Sequence, residues 1–167
     1  MIEGKLATEQ DFDAYYFLKS DEENIKWSGH EAAPDKERML NWYLKNIKRN
    51  DRHFFLFWDR EYFDHVVGYL YMDVVGQKSD TIDTGHGVHS NCGGKGYGTQ
   101  IIGFALQYAT ENLPQIHHFQ GWIANDNIGS IKNVLKNGYY KTNETKPVAF
   151  ADGEMKTFEK YMIDIRQ

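Results

Sequence analysis

The chain has a single cysteine, Cys92, and only three prolines among its 167 residues. One thiol cannot form an internal disulfide framework, which fits a reducing compartment. No run approaches the ~18 apolar residues of a membrane span. The opening residues MIEGKLATEQ carry neither a basic nor an apolar leader segment, so a soluble, cytoplasmic protein with no membrane partner is expected. Basic excess is missing too. Nineteen Lys and Arg against twenty-four Asp and Glu leave a formal charge of −5, which argues against general nucleic-acid binding and mildly favours a cationic partner. Low-complexity segments, internal repeats and linkers are also absent. What remains is ample core material, 41% hydrophobic and 15% aromatic residues, in a length that suits one domain over residues 1–167.

The hydrophobic pattern predicts a mixed α/β (α+β) fold with a central, mostly antiparallel sheet flanked by helices, in the order β-α-α-β-β-β-α-β-α-β-β. A strand is expected at 3–7. Thr8 then caps a helix over 11–19, with Asp11 in the capping-box position. Pro34 opens a second helix over 34–48, on which Met39, Trp42, Tyr43 and Ile47 recur at helical spacing. The polar stretch between these helices reads as irregular. HFFLFWD (53–59) and HVVGYLYMDVV (65–75) form a hairpin whose first strand is buried on both faces. A strand over 81–88, a helix over 97–111, a strand over 116–124 and a short helix over 127–136 follow. Two last strands, 139–150 and 154–165, are joined through Asp152-Gly153.

The chemistry concentrates in VHSNCGGKGYGTQ, where a strand meets a helix through four glycines. Glycine costs roughly 0.5–1 kcal/mol of backbone entropy relative to Ala, so such a loop is either loose or closely approached. A glycine loop at a helix N-terminus gathers backbone N–H groups and the positive end of the helix dipole, which suits phosphate. It is not a Walker A loop, because Lys95 is followed by Gly96 rather than Ser or Thr. A dinucleotide fingerprint is also poor: the spacing is GxGxG, mid-chain, with no acidic residue about 20 positions on. The pyrophosphate of another carrier is left.

The same stretch resembles the signature of the GNAT acetyltransferases, V-x-P-x-x-(R/Q)-G-x-G-x-(G/A)-(T/S), with Val88, Gly94, Gly96, Gly98 and Thr99 in register. Downstream, NDNIGSIKNVLKNGYYK is similar to that family's second motif through Asn127, Ser130, Ile131, Gly138 and Tyr139. The resemblance implies an acyl-CoA N-acyltransferase fold, with acetyl-CoA as co-substrate and no metal. It places the pyrophosphate on the main-chain amides of Gly93, Gly94, Lys95, Gly96, Tyr97 and Gly98, with the Thr99 hydroxyl adding to them. The pantetheine arm would run along Val88, with Asn127 on its far side, while Ser130 belongs to the same cofactor set. Lys95 and Lys132 could reach the outer phosphate. Gly93 stands where the family has Arg or Gln, and His89-Ser90 replaces the commoner x-Pro.

Catalytic residues carry over less well. The family's proton-donating tyrosine corresponds to Val134, leaving Tyr139 or Tyr140 as substitutes. A neutral amine must attack the thioester, and only about 0.1% of an alkyl amine of pKa near 10.4 is neutral at pH 7, so a base is useful. Candidates are Asp83, His86, His117 and His118, the last two on opposite faces of a strand; Cys92 as a covalent nucleophile is disfavoured. The segment 20–35 is expected to overhang the thioester end. It offers Asp21, Glu22, Glu23 and Glu31 to a cationic amine and Trp27 as a flat wall, with Trp27 and Glu31 as the chosen pair. The reading is an N-acetyltransferase acting on a small-molecule amine or a peptide N-terminus. Its alternative is a catalytically silent acyl-CoA-binding sensor or scaffold. A homodimer is admitted but not required.

Overall fold

The computed structural model describes residues 1–166. In chain order the elements are β1 (Glu3–Leu6), α1 (Phe12–Lys19), α2 (Glu22–Trp27), α3 (Lys36–Asn46), β2 (Arg52–Trp58), β3 (Val66–Val75), β4 (Thr81–Val88), α4 (Tyr97–Asn112), β5 (His118–Ala124), α5 (Ile128–Lys136), β6 (Tyr140–Ala149) and β7 (Met155–Asp164). The strands form one seven-stranded sheet in the order β1-β2-β3-β4-β5-β7-β6.

The apolar run of β2 explains how the layers assemble. Alternate side chains of a strand face opposite ways. Phe54, Leu56 and Trp58 pack with Phe12, Tyr15, Leu18 and Tyr43 from α1 and α3, while Phe55 and Phe57 pack with Ile101, Ile102 and Ala105 from α4. The strand therefore has no solvent face, and each large side chain buried this way contributes roughly 1.5–3 kcal/mol. No helix among the described residues is long and apolar enough to cross a membrane.

Every pairing is antiparallel except β4 with β5. Those two strands match only at Thr81–His118, Ile82–Phe119 and Asp83–Gln120. Beyond that point they part, β4 staying with β3 as far as Val88 while β5 follows β7 as far as Ala124. The sheet thus has an opening between the C-terminal halves of β4 and β5.

Several boundaries differ from the sequence expectation. The segment expected to be irregular contains α2, six residues long and N-capped by Asp21, whose carboxylate accepts from Asn24 N–H at 3.4 Å. So short a helix shows no periodicity; its cap and its tertiary contacts define it. The helix expected over 34–48 starts at Lys36, because Asp35 caps it through the Arg38 N–H, and it ends at Asn46. A 3-10 turn over Glu9–Asp11 precedes α1, and the Asp11 carboxylate reaches back to the N–H and hydroxyl of Thr8, both at 2.9 Å.

Candidate active site

Two of the loop glycines are required by conformation and a third by packing. Gly94 and Gly96 adopt φ of +78° and +77°, and a Cβ on either would meet open space, so only the backbone angle selects glycine there. Gly96 caps α4, whose first-turn N–H groups have no partners within the helix. Gly98 lies under α5, where a Cβ would run into the Asn133 side chain. The loop is therefore a concave, side-chain-free row of amides at a helix N-terminus, a cradle fit for phosphate.

Side chains around the loop are less available than expected. Tyr97 is buried and donates to Asp59 Oδ2 at 2.8 Å; burial, then that carboxylate, push its phenol up to about 12. Its offering to the loop is its main chain alone. The Thr99 hydroxyl donates to Asn133 Oδ1 at 3.2 Å and so joins α4 to α5. Lys95 turns away, its ammonium 5.2 Å from the Tyr62 ring centre and 5.9 Å from that of Phe63, and it does not line the cavity. Ser130 and Lys132 do line it, as does Asn127, whose Oδ1 caps α5 by accepting from Ser130 N–H at 3.2 Å.

Along β4 the two faces have separate roles. His89 N–H bonds Val67 O at 2.9 Å, so by strand alternation the polar groups of Val88 turn the other way, toward the opening. Asn24 of α2 takes the Val88 carbonyl through Nδ2 at 3.1 Å, leaving the Val88 N–H facing the gap. Ile82 and Val88 belong to the face covered by α4, and His86 meets Asn133 of α5 with Nε2 3.3 Å from Nδ2. Asp83, Gly85 and Gly87 belong to the other face, opposite Asp73, Tyr71 and Tyr69 of β3.

The cavity measures about 570 Å³ and runs through this opening. Its loop end is lined by Gly93, Gly94, Gly96, Gly98 and the start of α5, and its far end by Glu23, Trp27, Tyr69, Trp122 and Phe158. Trp27 lines this cavity, its Nε1 donating to Glu23 Oε2 at 3.1 Å. Glu31 does not. The chain turns at Gly29, with φ of +78°, and carries Glu31 to a separate depression beside Glu22 and Phe150. Of the four acidic residues offered by this segment, Glu23 alone lines the main cavity. Asp21 is buried instead, its carboxylate accepting from the Ser90 hydroxyl at 2.5 Å and the Ser90 N–H at 3.2 Å.

A family model for the acetyltransferase (GNAT) domain matches residues 5–140, most of the chain. The chain belongs to the GNAT acetyltransferase family. It is accordingly an acyltransferase, as the two glycine- and asparagine-bearing motifs implied. Solved structures share its fold at low identity. A spermidine N-acetyltransferase from Vibrio cholerae in complex with CoA and spermine superposes with a TM-score of 0.84 at 15% identity, covering 98% of this chain and 95% of the other. An aminoglycoside acetyltransferase in complex with coenzyme A gives 0.78 at 16%, with coverage of 98% and 95%. An N-acetyltransferase from Staphylococcus aureus Mu50 gives 0.81 at 17%, with 99% of each chain covered. No curated protein sequence matches significantly.

Within this GNAT chain the candidate acid–base groups are distributed unevenly. His86 is neutral at pH 7, because burial lowers its pKa to about 4. Burial, then the charge of Asp73, raise the carboxyl pKa of Asp83; Lys146 and Lys160 pull the other way. Asp83 is the last paired residue before the strands part and sits just behind the cavity wall, two residues along its face from Gly85. His117 and His118 are at the closed end, next to Thr81, so neither meets the opening; His118 Nδ1 lies 2.6 Å from Asp164 Oδ1. Val134 lines the cavity where the family tyrosine was expected. Tyr139 packs in the core outside the lining, and burial raises its pKa. Its hydroxyl has no hydrogen-bond partner among the described residues, since the nearby Thr84 hydroxyl is turned to the Gln120 carbonyl at 3.4 Å. Cys92 lines the cavity, but burial and then Asp21 push its thiol up, away from thiolate. Sequence reasoning did not find Asn24, Asn133, Trp122 or Phe158. Only Trp122 left a signal, as an aromatic on a strand entering the opening.

Proposed function

We propose that this protein is a single-domain N-acetyltransferase that transfers the acetyl group of acetyl-CoA to the primary amine of a small molecule by direct attack on the thioester. The observation that carries this reading is the cavity itself. It joins a row of loop amides, a strand N–H and an acidic, aromatic chamber across one opening in the sheet.

The main-chain amides of the 93–98 loop and the N-terminal turn of α4 neutralise the pyrophosphate, with Lys132 near the outer phosphate. The Val88 N–H donates to the thioester carbonyl as negative charge grows on its oxygen. One such preorganised donor is worth roughly 2.7–4 kcal/mol of barrier in a dry site. Asn24 holds Val88 in place through its carbonyl. Glu23 receives the amine as an ammonium, with Trp27 as a flat wall beside it, and Asp83 accepts its proton through water along the Gly85 edge. His86 lies on the helix side with Nε2 facing an Asn133 amide donor, so it lines the donor channel rather than serving as the base.

A small acceptor is preferred to a peptide terminus, because the segment that bears Trp27 is fastened to the β6–β7 hairpin beside the far end. The Ala151 N–H bonds Gly29 O at 2.8 Å, tying the turn after α2 to the tip of the β6–β7 hairpin. The test is release of free CoA from acetyl-CoA across a panel of small amines. Release with at least one amine is expected. No release from any amine, with acetyl-CoA still bound, would return the chain to a silent acyl-CoA-binding module.

A further inference from the structure

The charges around the acceptor chamber differ between its two walls. On the α2 side Glu23 supplies a carboxylate that accepts from Trp27 Nε1, and the Trp27 ring has the Lys26 ammonium 4.7 Å and the Lys156 ammonium 5.6 Å from its centre, so that wall carries both signs. The opposite floor is built by β5, β7 and β6. There Trp122 lines the cavity, and just outside the lining the Lys146 ammonium lies 4.3 Å and the Lys160 ammonium 5.9 Å from its ring centre. Both lysines are also close enough to Asp83 to lower its pKa.

The four lysines of the β6–β7 hairpin are not equivalent. Lys141 pairs with Glu159 at 2.7 Å, Lys156 with Asp126 at 2.7 Å, and Lys160 with Glu144 at 3.0 Å. Lys146 has no carboxylate within ion-pair distance among the described residues; its ammonium rests on the Trp122 face alone. A cation already covers the aromatic surface that a polycationic acceptor would need. A second ammonium brought there meets like charge, whereas an anion meets an exposed lysine with no carboxylate partner, held over the ring.

Resting on the acetyltransferase reading above, we infer that the acceptor is a small zwitterion, an amine that carries a carboxylate or similar anion a few bonds from its nitrogen, as α-amino acids do. Its ammonium faces Glu23 and the thioester, and its anionic group binds Lys146 over Trp122. The chamber is then dipolar, matched to a dipolar molecule and mismatched to a polyamine. The net charge of −5 does not oppose this, because the decisive lysine is local.

The experiment measures CoA release at saturating acetyl-CoA for the common amino acids, their decarboxylated amines, their α-amides and spermidine. The expected result is a kcat/KM at least roughly tenfold higher for one or more amino acids than for the matching amine and amide, which lack the anion. Lys146→Met should raise KM for the amino acid about tenfold or more while leaving the decarboxylated amine unaffected. The acetyl-CoA-induced shift in Tm should persist in that variant, which shows that the fold and donor site are intact. Equal or better use of the decarboxylated amine or spermidine overturns the inference and leaves the acetyltransferase reading standing. So does a Lys146→Met effect of equal size on both acceptors. Failure of every amine overturns both.

Discussion

Asp21 and Ser90 are 69 residues apart in sequence and share two hydrogen bonds, hydroxyl to Oδ1 and N–H to Oδ2, that fasten α2 to the end of β4. Burial alone would raise the pKa of Asp21, but the Ser90 hydroxyl, His89, Asn24 and the Ser90 N–H together hold its carboxyl below the usual range. Removing it frees the helix that carries Asn24, Glu23 and Trp27. Asp21→Ala should destabilise the fold by about 1–3 kcal/mol. The pH dependence follows from the sign of the shift: the contribution is complete above the unfolded carboxyl value near 3.9 and is lost as pH falls through the lower folded value. The stability difference between wild type and Asp21→Ala should therefore begin to narrow as pH falls below about 3.9. A difference that does not narrow with further acidification would contradict the assignment.

Gly96→Glu should abolish the gain in Tm produced by CoA, since a carboxylate at a φ of +77° both strains the loop and repels the pyrophosphate. At a ligand concentration 100 times the dissociation constant, linkage gives wild type about 2.7 kcal/mol. Calorimetric scans with and without CoA measure it, and an undiminished shift in the variant would remove the loop from the donor site.

Asp83 and His86 make opposite predictions. If Asp83 is the proton acceptor, Asp83→Asn lowers kcat by roughly 10²–10⁴-fold and abolishes the acidic limb of the pH–rate profile. Its raised pKa means that ionising it costs stability as pH rises from the unfolded value through the folded one, so Asp83→Asn should also be more stable than wild type at pH 7. His86 is depressed to about 4, so the folded state resists its protonation and loses stability as pH falls from 6.5 toward 4. His86→Gln should remove up to about 3 kcal/mol of that acid loss. Rate–pH and stability–pH profiles of the two variants separate the roles.

Trp27→Ala and Glu23→Gln should each raise the acceptor KM, by roughly 10-fold or more for a desolvated contact, with acetyl-CoA affinity unchanged. Glu31→Ala should change neither, because Glu31 faces the other depression. A loss of Tm without a change in acceptor KM would make Trp27 a packing residue.

Much of this was legible in the sequence wherever a single element carried it. The β4 range of 81–88 agrees with the pattern because Gly and polar punctuation bracket it, and the loop is legible because glycine at positive φ has few substitutes. The separation of Asp83 from His86 was also available: residues three apart on a strand face opposite ways, so only Asp83 shares the face of Gly85 and Gly87. The rest depends on tertiary contacts. α2 exists through Asp21 and Asn24 bonding a strand more than 60 residues away, and the turn at Gly29 decides between Glu23 and Glu31. Local propensity records neither. His117 and His118 were misplaced because the register of β4 on β5 is a property of the sheet.

The parting of β4 from β5 after Asp83 lets the cavity draw its lining from both faces of the sheet, His86 and Asn133 on one and Tyr69 and Trp27 on the other. On the proposed reading donor and acceptor occupy opposite sides, and neither must leave before the other binds. Initial-rate plots should therefore intersect, as for a ternary complex, and not run parallel as for an acylated enzyme. CoA should compete with acetyl-CoA but not with the amine. A surplus of one reactant then cannot seal in the product of the other.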